Sequence, residues 1–447
     1  MNSLSVSMIV RDAEAWLPAC LQSVRGLAQE MVIADTGSTD RTIAVAQQFG
    51  ARIFPITWHN HFAEARNLAL AAARGDWILS LDADEQLDAH AACGLPALLR
   101  DSQVAAYAVP IRNYVSSMGE RIGDCTPTAN DGLLPSSAPY PAFVEQQSVR
   151  LFRRLPEIQF IGRVHESVEP RLAELRRPLG KVDFCIHHFG FVIDQAARFK
   201  RNALYRELGR KKLEEMPTDW RAYFELGALE LEQFQNFAEA HRLLARACAL
   251  NAHAGEAWFF YGLTCVRMGL NEDAMKALRK AENCDYKTAL VAETRGDAWY
   301  NLGRFDEARA AYEAALKREQ HNPSAQAKVG LATVRAGSPD KGLARLRAYL
   351  AASRQAPELY EGLIASCVFL DRLREAAELA DQKLRFIPDL YPGDYLRAAS
   401  LQAQLREWSR AEAILVQGLS IHPRNKDLQR ALNEVTQQTR VASLQSS

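Results

Sequence analysis

The stretch "LSLDADEQLD", residues 79–88, decides how the N-terminal half is read. The apolar run Trp77-Ile78-Leu79-Ser80-Leu81 leads straight into three acids, Asp82, Asp84 and Glu85. Acids at the end of a buried strand require a positive charge. On a strand, side chains at i and i+2 share a face. Asp82 and Asp84 are therefore predicted to point together across Ala83 and to repel unless a cation stands between them. Hard divalent ions such as Mg²⁺ or Mn²⁺ take carboxylate oxygens and keep positions open for phosphate. Asp-x-Asp triplets are common on surfaces, and the placement behind "WILSL" is what gives this one weight.

Around this stretch, strand and helix signals alternate over the first ~200 residues. "LSVSMIV" (4–10), "EMVIAD" (30–35), "ARIFPI" (51–56) and "DWILSLD" (76–82) read as strands. "AEAWLPACLQSV" (13–24), "RTIAVAQQFG" (41–50) and "FAEARNLALAAARG" (62–75) read as helices. This alternation predicts an α/β domain with a mainly parallel, Rossmann-like sheet covered on both faces. Ligands bind at the carboxyl ends of such strands, where Asp35 and Asp82 fall. Asp35 opens the turn "ADTGSTDRT", in which Gly37 permits a tight bend; it either binds a ribose or base edge or serves the turn itself. Residues 112–147 are rich in Gly, Pro and Ser, are too long for an ordinary connector, and read as an active-site loop or lid.

From about residue 214 the strand signals stop and a repeat begins. Ala240, Ala274, Ala308, Gly342 and Ala376 are evenly spaced, and Ala411 follows after one extra residue. Gly262, Gly296 and Gly330 precede three of these markers at a constant distance. A period of about 34 residues with small residues where two helices touch is the tetratricopeptide signature, an all-α superhelix with a concave groove. The expected organisation is 1–213 for the α/β domain, 214–440 for the repeats and 441–447 for a disordered tail.

The 54 basic and 54 acidic residues balance, which gives no support to a general nucleic-acid binder. No run is apolar enough for a transmembrane helix, and "MNSLSVSMIVRDAEAW" lacks the form of a signal peptide. The eight cysteines are scattered without a CxxC pair and read as reduced thiols, so a cytoplasmic location is expected.

Four blocks, "VSMIVRDAEAWLPACLQSV", "EMVIADTGSTDRT", "FAEARNLALAAARGDWILSLDADE" and "RLFRRLPEIQFIGRVHESV", resemble in order those of inverting family 2 glycosyltransferases. The similarity is strongest to the subgroup of bacterial lipopolysaccharide-core β-glucosyltransferases, SunS-type peptide glycosyltransferases and GmaR-type flagellin transferases, the last of which also carry repeats. It covers about residues 4–200. The resemblance implies a GT-A fold, a UDP-sugar donor and Mn²⁺ or Mg²⁺. Carried over, Asp35 contacts the donor base, Asp82 the ribose or metal-bound water, and Asp84 the metal, which acts as a Lewis acid on the leaving diphosphate. Arg66, beside Asn67 in "EARN", steadies the donor phosphates or the acids.

Inversion requires a carboxylate within reach of the acceptor proton. Glu166 in "GRVHES" stands where the family places its acceptor-side acid, with His165 to bind phosphate or orient it; Asp131 and Asp124 are alternatives. "CIHHFGFV" (185–192) resembles a further block of the subgroup. There His188 is a third metal ligand, a diphosphate contact or a satisfied strand histidine. His59 and His61 in "WHNHF" have ligand-like spacing but match no histidine block, and Arg150 and Arg153 read as serving the sheet edge or the acceptor side. The expected activity is transfer of a hexose of glucose or N-acetylglucosamine type to a protein or peptide held by the repeats. The alternatives are a saccharide or lipopolysaccharide-core acceptor, or an inert scaffold whose repeats bind a partner; the presence of Asp35, Arg66, Asp82, Asp84 and Glu166 together speaks against the scaffold.

Overall fold

The computed structural model describes residues 2–445, apart from 118, 119, 124, 193, 194 and 389. Ten strands form one mixed sheet: β1 (Leu4–Val10), β2 (Glu30–Asp35), β3 (Arg52–Pro55), β4 (Trp77–Ser80), β5 (Glu85–Leu87), β6 (Ala106–Val115), β7 (Thr128–Ala129), β8 (Ala142–Arg153), β9 (Leu179–Lys181) and β10 (Ile186–His188). Their order is β3-β2-β1-β4-β8-β6-β10-β5, with β7 beside β8 and β9 beside β6. β3, β2, β1 and β4 run parallel, and β8 runs antiparallel to both β4 and β6. Helices α1 (Leu17–Ser23), α2 (Thr42–Gln48), α3 (Phe62–Ala72), α4 (Ala91–Leu98) and α5 (Glu169–Glu174) fill the connections.

The two layers are visible in β4. Trp77 and Leu79 pack with Leu4, Val6 and Met8 of β1 and with Leu17 and Leu21 of α1. Ile78 points the other way, into a cluster with Val32, Leu70 and Phe152. A strand buried on both faces reads as a continuous apolar run, and that is why "WILSL" is apolar throughout.

Two expectations change. β4 ends at Ser80, so Asp82 and Asp84 lie in a turn rather than on a strand, and the shared-face reasoning does not hold for them. The turn is closed reciprocally: Glu85 N donates to Asp82 O at 3.0 Å, and Asp82 N donates to Glu85 Oε2 at 2.8 Å. The proposed 112–147 loop is shorter, because β6 continues to Val115 and β8 starts at Ala142 as a paired hairpin.

The chain forms two compact units, Met1–Glu239 and Ala240–Ser447. Helices α6 (Gln195–Glu215) and α7 (Trp220–Glu232) both lie in the first unit, α6 almost wholly before the expected 213/214 boundary and α7 after it. The cause is specific pairing. Lys212 Nζ donates to Val164 O at 2.9 Å and meets Glu225 at 2.6 Å, while the Arg163 guanidinium pairs with Glu215.

Beyond α8 (Phe237–Leu250) come helix pairs: α9 (Gly255–Arg267) with α10 (Asn271–Asn283), α11 (Ala289–Asn301) with α12 (Phe305–Arg318), α13 (Pro323–Arg335) with α14 (Pro339–Ala352), α15 (Pro357–Phe369) with α16 (Leu373–Phe386), and α17 (Pro392–Gln404) with α18 (Trp408–Ile421). The sequence markers Ala274, Ala308, Ala376 and Ala411 are fully buried. A Cβ on Gly262, Gly296 or Gly330 would come within 3.0 Å of Leu278, 2.3 Å of Tyr312 and 2.3 Å of Leu346, respectively. One small residue per repeat thus lets the paired helix approach, which is what fixes the period. The last helix, α19 (Lys426–Gln445), continues through most of the stretch expected to be a disordered tail. Among the described residues no helix is long and apolar enough to cross a membrane.

Candidate active site

The acids after β4 already have positive partners, supplied by the chain itself. Arg66, on α3, is buried to 8% side-chain exposure and reaches in two directions. Its Nη2 donates to Asp82 Oδ1 at 2.6 Å and its Nε to Glu166 Oε1 at 2.5 Å. Arg150, on β8, donates to Glu85 Oε1 at 2.7 Å and lies 3.4 Å from Asp82 Oδ2. Glu85 is completely buried. Charge-assisted pairs of this kind hold their geometry because each member is costly to leave alone.

The electrostatics follow from these contacts. Burial disfavours the charge on Asp82, but Arg66 and then Arg150 outweigh it and hold its carboxyl well below the usual range. Burial lifts Glu85 above its ordinary value; Arg150 pulls against that, and the neighbouring Asp82 charge adds to the lift.

Asp84 faces a different partner, with its Oδ2 lying 3.5 Å from His188 Nε2. β10 brings the histidine there, with His188 paired in register to Glu85 of β5 and to Asn113 of β6. Asn113 Nδ2 donates to Val144 O and to Gln146 Oε1, both at 3.2 Å, which turns its Oδ1 toward His188. His188 Nδ1 lies 2.7 Å from that oxygen and so carries the hydrogen. In neutral imidazole the Nε2 lone pair then faces a carboxylate oxygen with no proton between them. Only a cation satisfies that arrangement: a proton on Nε2 or a metal ion. Burial opposes the proton, yet the Asp84 hydrogen bond and the charges of Asp84, Glu85 and Asp82 raise the His188 pKa above the ordinary imidazole value. Gly190 completes the cradle, since a Cβ there would stand 2.1 Å from Asp84 Oδ2 and 2.7 Å from His188 Nε2. A carboxylate and an imidazole beside such a gap fit a divalent ion whose other positions are taken by water or phosphate.

Glu166 sits in a short loop closed by the Ile161–Ser167 bridge, just after His165 in a left-handed conformation (φ 51°). Asn67 clamps the start of that segment, donating to Phe160 O at 3.0 Å and accepting from Phe160 N at 2.9 Å. The His165 ring packs edge-on against Tyr205 of α6. Arg201 of the same helix donates to Gly190 O at 2.9 Å. Arg66, Asp82 and Glu166 therefore form one network, with Asp84 and His188 beside it.

Asp35 stands apart from this network. It ends β2 as expected, but it accepts hydrogen bonds from Gly37 N at 3.2 Å and from Ser38 N at 3.1 Å, and so closes its own turn. Asp131 pairs with Arg112 at 2.7 Å, and Asp124 lies outside the described residues. His61 caps α3 by accepting from Glu64 N, and His59 pairs with Glu64, so both serve the helix start. Arg153 donates to the carbonyls of Val104 and Asp101 at the sheet edge. The sequence reading gave Arg150 only the sheet edge or the acceptor side, assigned Glu85 no partner, and gave no role to Asn113, Gly190 or Arg201. Of these, Glu85 was the most readable, as the third acid of the opening stretch.

Comparison with known proteins agrees with this architecture. Residues 5–155 match the family model for glycosyl transferase family 2, and residues 265–336 match that for a tetratricopeptide repeat-like domain. A TPR repeat-containing protein of Synechococcus elongatus is 30% identical over 71% of this chain and 66% of its own length. An uncharacterized glycosyltransferase of Rickettsia felis is 32% identical over 20% of this chain and 30% of its own. The lipopolysaccharide core biosynthesis glycosyltransferase LpsC of Rhizobium meliloti is 34% identical over 26% of this chain and 44% of its own. The chain thus spans less than two thirds of each of these relatives, and its two matched segments place a region similar to glycosyl transferase family 2 before one similar to tetratricopeptide repeats.

Proposed function

We propose that this protein is a metal-dependent inverting glycosyltransferase. It moves a hexose of glucose or N-acetylglucosamine type from a UDP-sugar to a protein or peptide acceptor held by the repeats. One observation carries the reading: a single buried guanidinium, Arg66, joins the donor-side acid Asp82 to the acceptor-side acid Glu166. The two halves of a displacement at an anomeric carbon need donor and acceptor groups at this proximity.

The roles divide accordingly. Asp84 and His188 hold Mn²⁺ or Mg²⁺, which when bound polarises the leaving diphosphate. Asp82, fixed by Arg66 and Arg150, orients the ribose side of the donor, and Asp35 contacts the base from the end of β2. Glu166 accepts the acceptor's proton. Arg66 takes its Oε1, while its Oε2 accepts no hydrogen bond among the described residues and is free to face the acceptor hydroxyl. A saccharide acceptor of the lipopolysaccharide-core kind is the second reading, favoured by the name of the Rhizobium relative.

The test offers the purified protein UDP-, GDP- and dTDP-sugars with Mn²⁺ or Mg²⁺ and follows nucleotide release. Slow release from one UDP-hexose, lost with chelator, is the expected result. If nothing is released and UDP with Mn²⁺ at a hundred times a micromolar Kd gives none of the roughly 3 kcal/mol of stabilisation that binding would supply, the proposal fails and the inert scaffold takes its place.

A further inference from the structure

The strand that presents His188 to Asp84 also carries a second set of metal-binding groups. Successive strand residues face opposite sides, so Cys185 and His187 turn away from the Asp84–His188 pair. Behind the strand they meet Asp88, which follows β5. Cys185 Sγ lies 3.5 Å from Asp88 Oδ2 and 3.6 Å from His187 Nε2, and His187 Nε2 lies 3.9 Å from the same carboxylate oxygen. These three are the only His, Cys, Asp or Glu group of three or more among the described residues whose ligand atoms all lie within 4.8 Å of one another.

We propose that Asp88, Cys185 and His187 bind a structural zinc ion, separate from the divalent site at Asp84 and His188. Bond lengths of about 2.0–2.3 Å in tetrahedral geometry put neighbouring ligand atoms about 3.3–3.6 Å apart. The three observed separations lie at or within a few tenths of an ångström of that range, so the ion enters with little movement. The donor set of thiolate, imidazole and carboxylate suits zinc better than magnesium. An outer shell is present as well. Tyr114 Oη lies 2.8 Å from His187 Nδ1, and His90 Nδ1 lies 2.8 Å from Asp88 Oδ1. Such partners fix the tautomer and the carboxylate orientation of metal ligands.

The charge balances. Zn²⁺ displaces the Cys185 thiol proton to solvent and leaves a thiolate and a carboxylate around a doubly charged ion, neutral overall in a place where Cys185 and His187 are buried. Asp88, with 14% of its side chain exposed, leaves a path for the ion and for a water in the fourth position. The function follows from position: the ion ties β10 to the chain after β5, immediately behind His188.

Metal analysis of the full-length protein, purified under reducing conditions and dialysed, tests this. About one zinc per chain is expected. Replacing it with Co²⁺ should give the near-ultraviolet thiolate-to-cobalt charge-transfer band and the intense visible bands of a tetrahedral ion. Cys185→Ser should abolish the charge-transfer band, and Asp84→Ala should leave it intact, so failure of the divalent site and failure of this one are read separately. A wild-type protein that holds no zinc and gives no cobalt–thiolate band overturns the proposal without reference to any variant. A band that survives Cys185→Ser overturns it too. If Cys185→Ser does not fold, the milder Asp88→Asn provides the comparison, with a weakened zinc affinity expected and an unchanged one contradicting the site.

Discussion

Arg66 Nε donates to Glu166 Oε1 at 2.5 Å across a hundred residues of chain, while the same guanidinium holds Asp82. Among the described residues no other contact ties the acid after β4 so directly to the loop before α5. Arg66→Met should therefore cost about 2–3 kcal/mol of stability, since it leaves the half-buried Asp82 and Glu166 carboxylates without their shared partner. It should also remove donor hydrolysis. Arg66→Lys keeps the charge but cannot fork between two acids, and it should recover part of the stability and little of the activity. Denaturant unfolding beside nucleotide release would settle this, and a fully active Arg66→Met would refute the bridging role.

Glu166→Gln keeps the shape of the side chain and removes its basicity. UDP binding with Mn²⁺ should be unchanged, and transfer should fall roughly 10²–10⁴-fold. Calorimetry of UDP binding and a transfer assay on the same preparation separate the two effects. Wild-type turnover in this variant would pass the role of base to a loop acid such as Asp131.

The Asp84–His188 pair is open to a steric test. Gly190→Ala places a methyl 2.1 Å from Asp84 Oδ2, so the pair must part. The variant should fold and lose divalent-dependent UDP binding, as Asp84→Ala should. Circular dichroism checks the first expectation and titration of Mn²⁺ in the presence of UDP the second. Unaltered metal affinity in Gly190→Ala would move the site elsewhere.

Much of this arrangement was legible in the chain before its fold. The four parallel strands are short apolar runs broken by helical spacing, and these periodicities are local. The repeat was equally clear, because one buried small residue recurs in each helix pair. What stayed hidden depends on contacts between distant residues. Arg150 lies 65 residues from Glu85, and nothing in "RLFRR" marks it as the counter-ion of a buried acid. The i, i+2 rule misplaced Asp82 and Asp84 because β4 stops at Ser80 and the Glu85 carboxylate turns back to cap the Asp82 amide. Asp35 looked suited to a ligand or to a turn, and its carboxylate accepts from two amides of its own turn. α6 and α7 fall in the first compact unit although α7 lies beyond the expected 213/214 boundary, because helical pattern alone does not tell such helices from those of the repeats. Their allegiance is decided by Lys212 and Glu215, which pair with the loop around Val164.

pH reaches the site through His188. Its folded pKa is raised above the ordinary imidazole value of 6.5, because Asp84, Glu85 and Asp82 overcome the cost of burial. Protonated His188 therefore stabilises the metal-free fold fully below about pH 6.5, and that contribution is lost as pH rises through the folded value. Metal binding runs the other way, because the ion needs the Nε2 lone pair that the proton occupies. Mn²⁺ affinity in the presence of UDP should climb as pH rises from 6.5, by up to about tenfold per unit, and level off once His188 is neutral. In His188→Gln the affinity should be weak throughout and nearly flat over the same interval. Calorimetric titrations at pH 6, 7 and 8 make the comparison. An equal slope in wild type and variant would mean that the titrating ligand is not His188.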